Sequence, residues 1–416
     1  MARVQSPDSR LSALAKPSLS APSWPFFYEN QTAFVLVCWM ISRLVVLHGL
    51  RSVPSPNLGV VANWDGVWYR TIATQGYDFA ADGRWHSIAF FPLYPYLVSL
   101  AMRAGANFDL ASVLVSNAAY LAMMIVTSHW VAKRNGHSAA RWTSAFLAFF
   151  PLSLFGSVAY PEGLFMLLSA LALKEFDERR YPASALWSAL AALARPNGVC
   201  LCVAFAASAL AERRGKGAML PAITALLGAL VMITFGAVRF HDPLAFIHAQ
   251  QAWRHGIGGG LTEWRILLSS GSVSFGHWRL NLYILPIVAV LMLVGSRIHW
   301  AAQLCLWSVV VAVEHLCWGR DFPFAVIALL GGAAVIAFRR QLGSGLVAYA
   351  YVSLCVLLGS GSSMSADRFL FGVLPFSLAI GLLLERNPCL GLPLIAADWL
   401  DLVQSAAAFA RSAWVA

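Results

Sequence analysis

The stretch Asn63-Trp64-Asp65-Gly66-Val67-Trp68-Tyr69-Arg70 sets a carboxylate among aromatic side chains directly after the first long apolar segment, residues 33–49. A chain that crosses a membrane would leave the bilayer at about this point. A second aromatic run, Ala89-Phe90-Phe91-Pro92-Leu93-Tyr94-Pro95, follows. Because ionisable groups near membrane depth are costly, an acid in this position indicates a functional site.

Composition places the chain among integral membrane proteins. Of its 416 residues, 59% are hydrophobic and 12% are charged, and the mean hydropathy is +0.68. A soluble domain usually has an apolar share of about 45–50%. The net charge of +10 comes from basic residues scattered between apolar runs, which argues against a nucleic acid partner. The seven cysteines fall mostly inside apolar runs and predict neither a disulfide framework nor a zinc site.

The apolar segments predict an all-α, polytopic membrane domain of about 12 transmembrane helices, within a range of roughly 10–13. Residues 182–211 are compatible with two short helices or with one long helix. The segments long enough, or nearly so, to cross about 30 Å of hydrocarbon are residues 33–49, 109–132, 139–158, 161–174, 182–194, 198–211, 217–238, 281–296, 299–316, 322–338, 344–361 and 369–385.

The positive-inside rule sets the predicted topology. If residues 1–32 are cytoplasmic and residues 182–211 form a hairpin, all the lysines share the inner face. The same parity requires that residues 88–105 lie at the outer interface without crossing, and Pro92 and Pro95 would break their first turn. The lysines are Lys16, Lys133, Lys174 and Lys216.

This topology predicts three regions. A disordered cytoplasmic tail rich in Ser, Pro and Ala comes first, a membrane domain follows, and an amphipathic tail on the cytoplasmic surface comes last. Interfacial helices are expected in the first outer loop of the membrane domain, and a second large outer loop follows later. The ranges are 1–32 for the first tail, 33–386 for the membrane domain, 50–108 and 239–280 for the two loops, and 387–416 for the last tail.

Five motifs follow one another along the membrane portion. They are Trp64-Asp65 with Tyr69, Ala89-Phe90-Phe91-Pro92-Leu93-Tyr94-Pro95, Tyr160-Pro161-Glu162-Gly163-Leu164-Phe165, Ala194-Arg195-Pro196-Asn197-Gly198, and Asp242-Pro243-Leu244-Ala245-Phe246 with Gln250 and Trp253. In this order they resemble the PIG-V-like mannosyltransferases, a family of GT-C class membrane glycosyltransferases that includes the second mannosyltransferase of GPI-anchor synthesis. The resemblance runs from about residue 33 to residue 380.

The resemblance implies a GT-C-like fold and transfer of mannose, or a similar sugar, from a polyprenyl-phosphate donor with inversion at the anomeric carbon. The reaction would take place on the outer side of the membrane. The lipid-linked donor is a co-substrate, and no cofactor is implied. The acceptor could be a glycolipid, a protein or a glycan, and membrane lipids surround the site. Substrate or donor contacts are expected from the motif residues Trp64, Tyr69, Tyr160, Glu162 and Asn197.

Chemistry assigns the remaining roles. An inverting displacement needs a carboxylate to take the proton of the acceptor hydroxyl, and Asp65 is the candidate general base. The lipid phosphate leaves as an anion and needs cations. The predicted outer face carries no lysine, and arginine suits bidentate phosphate contact, so Arg195, Arg254 and Arg368 are the candidates.

Simpler structural roles compete with these assignments. Asp65 could only cap the helix that follows it, and Glu162 could be a first-turn acid. Arg195 could pair with Glu162 instead of binding phosphate. Asp78 and Asp82 are more typical of solvated loop acids.

Two other classes of function remain open on the sequence. One is a lipid or glycan transporter or flippase, although no twofold repeat or midplane chain of acids is evident. The other is a membrane acyltransferase that uses His315 or His86. No nucleotide-binding loop interrupts the helices, and no ligand spacing predicts a metal site. We expect the inner membrane of a bacterium, with the site facing outward, or the endoplasmic reticulum in a eukaryote.

Overall fold

All the regular secondary structure in the described part of this chain is helical, as the apolar pattern predicts. The computed structural model describes residues 30–53, 58–252, 291, 298–360 and 365–415. The predicted N-terminal tail up to residue 29, the crossing at 281–296 apart from residue 291, and the part of the large outer loop that carries Arg254 lie outside the described residues.

The helices are α1 Gln31–Leu50, α2 Asp65–Gln75, α3 Leu93–Arg103, α4 Phe108–Asn135, α5 His137–Phe149, α6 Glu162–Asp177, α7 Tyr181–Ala194, α8 Cys200–Ala211, α9 Leu220–Thr224, α10 Leu227–Phe240, α11 Ala245–Gln251, α12 Trp300–Trp318, α13 Phe322–Ala337, α14 Arg339–Leu342, α15 Ser344–Gly359, α16 Ala366–Phe371, α17 Leu374–Arg386 and α18 Pro388–Ala410. Helix α13 includes a π-helical stretch at Ala325–Leu330. Short 3-10 turns lie at Leu58–Ala62, Ser87–Ala89, Pro151–Gly156, Pro196–Val199, Lys216–Met219 and Gly319–Asp321.

Several of these helices can cross a membrane by length and composition. Four of the described helices, α1, α4, α12 and α18, meet both criteria, and the turn Lys216–Met219 with α9 and α10 makes a fifth if its 40° bend lies within one crossing. Helices α7, α8, α13 and α15 are apolar but shorter. A helical membrane protein is thus confirmed, and the count of about 12 crossings stays a prediction.

The C-terminal segment is a long helix that packs against other helices. Residues of the predicted tail 387–416 form α18, which packs along α1 and α12. Gly49 allows this approach, because a Cβ at that position would lie 2.5 Å from Cβ of Ala406. Helix α18 is buried on one side by other helices, so part of its apolar surface serves helix packing. Its location at the cytoplasmic surface stays a prediction.

The segment 182–211 is divided into two helices. Helix α7 ends at Ala194, and the backbone of Arg195 is extended, with φ −152° and ψ 150°. The turn Pro196–Val199 then leads into α8. The alternative of one long helix is therefore wrong.

Helices α2 and α3 of the first loop contain 11 residues each. At 1.5 Å per residue, each is about 16 Å long, roughly half the hydrocarbon thickness. Neither is long enough to cross, which agrees with the expectation for residues 88–105. Their location at the outer interface stays a prediction.

Helix α6 is held at the centre of the bundle by α4 and α7. Gly163 lies at its start, and a Cβ there would come within 2.9 Å of the Ser116 carbonyl oxygen on α4. The absence of a side chain lets the two helices meet at this end. The close approach fixes the position of Glu162, the first residue of α6.

Candidate active site

Asp65 begins α2 but does not cap it. The N-cap position belongs to Trp64, whose φ of 57° lies in the left-handed region and whose side chain makes no capping hydrogen bond. The backbone N–H of Asp65 donates to the Tyr160 hydroxyl at 3.1 Å. The Asp65 carboxylate is thus not used to start the helix, and the capping role is wrong.

Arg368 is the partner of the Asp65 carboxylate. Its Nη2 donates to Oδ2 of Asp65 at 2.7 Å and to Oγ of Ser365 at 3.2 Å. The side chains of Arg368 and Asp65 are 11% and 20% exposed. The guanidinium also lies 5.1 Å from the centre of the Tyr160 ring, a cation–π distance. These contacts fix the orientation of the Arg368 guanidinium, and the Asp65 carboxylate remains partly exposed.

A second acid and a second arginine extend this pair. Nε of Arg368 lies 3.4 Å from Oε1 of Glu162, and Nη1 of Arg195 donates to the same oxygen. The Glu162 side chain is only 2% exposed. We call Asp65, Arg368, Glu162 and Arg195 the four-charge cluster. Charges of opposite sign alternate along it, so its formal charge is zero.

The position of Arg368 keeps it charged. Burial lowers its pKa, but the adjacent Asp65 and Glu162 carboxylates outweigh burial and hold the pKa of Arg368 above its ordinary value. The sequence left two roles open for Arg195, which were phosphate binding and pairing with Glu162. The structure shows the ion pair with Glu162. The pair lies in contact with Arg368, so the structural and the phosphate-binding roles of Arg195 are not mutually exclusive.

Tyr160 ties the loop before Asp65 to the centre of the bundle. Its hydroxyl donates to the Asn63 carbonyl at 3.3 Å while it accepts from the Asp65 N–H. Its own carbonyl accepts from Oγ of Ser116 at 3.1 Å. Tyr160 is almost fully buried, so it holds the Asn63–Asp65 backbone in place from the interior of the bundle.

Tyr69 is buried beside this support. Its ring lies 5.1 Å from those of Phe90 and Tyr94 and 6.4 Å from that of Tyr160. Edge-to-face packing of this kind explains why the aromatic motifs of the first loop accompany Asp65. The structure brings Tyr69 and Tyr160 together as a scaffold, and substrate contact by either stays a prediction.

The end of α18 reaches the same loop, which the sequence did not suggest. Nδ2 of Asn63 donates to the Phe409 carbonyl at 2.8 Å. The ring of Trp64, which is 40% exposed, meets Trp414 edge-on with 5.1 Å between centroids. Helix α18 therefore holds the segment that presents Asp65. Its separation in sequence from Asn63, 346 positions, left no local signal for this contact.

Asn197 makes no hydrogen bond to the four-charge cluster in the part of the chain that the structure describes. Asn197 is 9% exposed in the turn Pro196–Val199, two residues after Arg195. Arg254 lies outside the described residues. Their roles stay predictions.

The acids of the first loop form a separate group. Nδ1 of His86 lies 2.8 Å from Oδ2 of Asp78, and Nε2 lies 2.9 Å from Oδ1 of Asp82. Asp78 also accepts from the backbone N–H of Ser87 at 3.0 Å. Burial lowers the pKa of His86, but the hydrogen bonds that its ring donates to the two carboxylates outweigh burial and raise the pKa above its ordinary value. Asp78 and Asp82 thus stabilise the conformation of the loop.

His315 is also engaged elsewhere. Its Nε2 lies 2.7 Å from Oδ1 of Asp401 on α18, and neighbouring Glu314 accepts from Nε1 of Trp318 at 2.9 Å. One turn before Asp401, the carboxylate of Asp398 is fully buried and has no hydrogen-bond partner among the described residues. The sequence did not predict that His315, Asp398 and Asp401 lie close together, because His315 is on α12 and the two acids are on α18.

Within the residues that the structure describes, no group of three His, Cys, Asp or Glu side chains is placed to hold a metal ion. The carboxylates of the four-charge cluster face guanidinium groups. The chemistry of the cluster is therefore that of carboxylates and arginines.

Comparison with known proteins gives the family. A family model described as Mannosyltransferase (PIG-V) matches residues 32–240, half of the chain. The match includes Asp65, Glu162 and Arg195 but ends before Arg368. GPI mannosyltransferase 2 of Schizosaccharomyces pombe (strain 972 / ATCC 24843) is 32% identical over 155 residues, which cover 35% of this chain and 32% of that protein. The match thus spans about a third of the length of this relative.

Solved structures give the fold. ArnT from Cupriavidus metallidurans bound to undecaprenyl phosphate matches 88% of this chain and 63% of its own, with a TM-score of 0.53 and 14% identity. The apo oligosaccharyltransferase of Archaeoglobus fulgidus matches 92% of this chain and 57% of its own, with a TM-score of 0.51 and 14% identity. At this identity the likeness concerns the fold alone, which is that of the GT-C class. The chain belongs to the mannosyltransferase (PIG-V) family.

Proposed function

We propose that this protein is an inverting mannosyltransferase that takes mannose from a polyprenyl-phosphate donor. Transfer goes to an acceptor hydroxyl on the outer side of the membrane, and Asp65 is the general base. The family supports the reaction class, and the name of the Schizosaccharomyces pombe relative supports mannose and a glycolipid acceptor over a protein or a glycan. The undecaprenyl phosphate bound to ArnT supports a lipid phosphate on the donor.

One observation carries the assignment of the base. Oδ2 of Asp65 is held by Arg368 at 2.7 Å, whereas Oδ1 makes no hydrogen bond within the described ranges of the chain. One carboxylate oxygen thus fixes the orientation, and the other is free to accept a proton from the acceptor. Glu162 is a poorer base because it is 2% exposed and one of its oxygens faces two guanidinium groups.

The reaction is a single displacement. The acceptor oxygen bonds to the anomeric carbon of mannose from the face opposite the phosphate, its proton passes to Asp65, and the bond between the anomeric carbon and the phosphate oxygen breaks. The polyprenyl phosphate leaves with one more negative charge than it had in the donor. Arg368, which contacts the base, and Arg195, which pairs with Glu162, are the cations of the four-charge cluster, and they stabilise this charge.

Charge balance connects the two halves of this step. With all its members ionised, the four-charge cluster is neutral; when Asp65 takes up the proton, the cluster has a net charge of +1. The positive charge appears as the leaving phosphate gains its negative charge. Fixed arginines that face developing charge lower the barrier, because they need no reorganisation at the moment of reaction.

The test is sugar transfer by the purified protein, supplied with polyprenyl-phosphate-[14C]mannose and a membrane lipid extract. Wild type should label a new product, and Asp65→Asn should lower the rate by at least about 10²-fold. The matched control is Asp82→Asn, an acid of the same loop that contacts His86, and it should stay within about threefold of wild type.

Each part of the proposal fails separately. Transfer from a different polyprenyl-phosphate sugar alone would exclude mannose but keep the reaction class. Equal transfer by Asp65→Asn and wild type would exclude Asp65 as the base. A product with retained anomeric configuration would exclude the single displacement. The family assignment gives no support to the flippase or acyltransferase alternatives, and His86 and His315 contact other acids.

A further inference from the structure

A cavity of about 380 Å³ lies between α1, the turn Leu58–Ala62 and α4. Its volume falls in the range of small-molecule sites. None of the residues of the four-charge cluster lines it, but Val60 and Val61, on the turn that leads to Asn63 and Asp65, form part of its wall. The cavity is therefore a neighbour of the candidate active site and is separate from it.

Arg43 reaches this cavity from α1. Its Nη1 donates to the Ser153 carbonyl and to Oγ of Ser157, both at 2.8 Å. Its Nη2 donates to Oγ of Ser153 at 2.9 Å and its Nε to Oγ of Ser42 at 3.3 Å. All these acceptors are neutral, and no carboxylate among the described residues forms an ion pair with Arg43. A cation inside a membrane domain needs a counter-charge or a functional reason.

A second cation lines the same cavity. Arg51 follows the last residue of α1, is exposed, and makes no ion pair with any described carboxylate. Most of the remaining lining is apolar, with Val46 and Leu50 on α1 between the two arginines and Val113 on α4. Leu47 also lines the cavity and is 40% exposed on a helix that can span the membrane.

The Arg43 guanidinium also lies 5.1 Å from the centre of the Tyr120 ring and donates to the Ala148 carbonyl at 3.5 Å, so its protein contacts fix its position without cancelling its charge. Two cations that have no carboxylate partner among the described residues, set in a largely apolar lining, fit an amphiphile with an anionic head.

We propose that this cavity binds the phosphate headgroup of a membrane phospholipid. Arg43 and Arg51 supply the positive charge, and the polar groups of Ser157 and Asn117, which also line the cavity, lie beside it. The glycerol and the start of the acyl chains follow the apolar wall along α1. This site does not depend on the proposed sugar transfer, since it uses none of the same side chains.

The choice of a phospholipid over free phosphate rests on the wall. A small hydrated anion gains nothing from Val46, Leu50 and Val113, whereas burial of acyl chain methylenes is favourable by about 0.8 kcal/mol each. The choice of a charged headgroup over an uncharged lipid rests on the two arginines. Both parts of the ligand are needed for full affinity.

The test measures lipid binding to delipidated protein in detergent by native mass spectrometry. The probes are phosphatidylglycerol, diacylglycerol of the same chains, inorganic phosphate and a polyprenyl phosphate. Val113→Trp fills the cavity and leaves Arg43 in place. The matched control is Leu114→Trp, the next residue of α4, which does not line the cavity and is 55% exposed.

Phosphatidylglycerol should bind wild type and Leu114→Trp alike and bind Val113→Trp at least about tenfold more weakly. Arg43→Gln should show the same loss; because it also breaks the bonds to Ser153, the Val113→Trp result decides if that variant does not fold. Equal binding of diacylglycerol would reduce the cavity to an apolar lipid contact and overturn the proposal. It is likewise overturned if inorganic phosphate or the polyprenyl phosphate occupies the cavity in preference to phosphatidylglycerol, or if Val113→Trp binds as wild type does.

Discussion

Arg368 donates a hydrogen bond across 2.7 Å to the carboxylate of Asp65, joining two residues 303 positions apart. The bond links the first loop after α1 to α16 near the end of the membrane domain. It also connects Asp65 with the pair of Glu162 and Arg195 through the same guanidinium. The base and the cations of the proposed reaction thus form one network.

Removal of the central cation should affect both binding and chemistry. In Arg368→Gln, two acids share the single charge of Arg195. We expect the rate of mannose transfer to fall by at least about 10²-fold, with a higher KM for the lipid donor. Arg368→Lys keeps the charge but not the planar fork and should recover only part of the rate.

Steady-state kinetics with varied donor would check this prediction. Arg340→Gln is the control, because Arg340 is exposed at the short helix α14. A normal rate and KM in Arg368→Gln would mean that Arg368 only supports the fold.

The pair of Glu162 and Arg195 should show strong coupling. Removal of one partner of a buried ion pair costs about 3–5 kcal/mol, because the other charge is left unpaired. Glu162→Gln and Arg195→Gln should therefore each be strongly destabilising, and the double variant should cost less than the sum of the two. The measurement is the free energy of unfolding in detergent, combined as a double-mutant cycle.

An exposed ion pair provides the comparison. Lys133 is 73% exposed and pairs with Glu178 at 3.0 Å. Lys133→Gln should change the free energy of unfolding by less than about 1 kcal/mol. Additive effects of Glu162→Gln and Arg195→Gln would show that the two side chains are not energetically coupled.

The contact between α18 and the Asp65 loop should control the rate of transfer more than donor binding. Asn63→Ala and Trp414→Ala release the loop from Phe409 and from its edge-on aromatic partner. Because small displacements of a reacting group have large kinetic effects, we expect kcat to fall by roughly 10- to 100-fold with little change in the KM for donor.

Trp399→Ala is the matched control on the same helix. Trp399 stacks on Phe149 and is 43% exposed, so its loss removes a tryptophan of α18 without touching the loop. Equal loss of kcat in Trp399→Ala and Trp414→Ala would indicate a general effect of α18 on folding.

The first loop should lose stability as pH rises above neutrality. The pKa of His86 is raised in the folded chain by Asp78 and Asp82, which outweigh burial. Its contribution is thus fully present below its unfolded pKa of about 6.5 and is lost as pH rises through the raised folded pKa. Backbone amides of residues 77–90 should show more protection from hydrogen exchange at about pH 6 than at about pH 9, after correction for intrinsic rates.

His86→Gln should remove this pH dependence. His137→Gln should preserve it, because His137 is exposed at the start of α5. The acids act in the opposite range: hydrogen bonds from Ser87 and His86 outweigh burial and lower the pKa of Asp78, so its contribution is lost only as pH falls through that lowered value. An unchanged pH profile in His86→Gln would rule out His86 as the titrating group.

The predicted elements succeeded where the signal is local. Apolar runs gave the membrane helices, and the proline and arginine at residues 195–196 marked the break between α7 and α8. The packing of the C-terminal helix on α1 had no signal in the sequence, because one-sided apolarity is the same for a helix on a membrane surface and for a helix packed in a bundle. Its partner α1 is at the other end of the chain.

The candidate site divides along the same line. By itself the sequence determined a helical membrane protein, its family, and the acids and arginines at the ends of apolar segments, since each follows from composition and short motifs. Only the tertiary structure decided that Arg368 faces Asp65, that Glu162 and Arg195 join them, and that Phe409 and Trp414 hold the loop. These contacts depend on how distant helices pack, and side-chain spacing within a helix carries no information about which helix lies beside it.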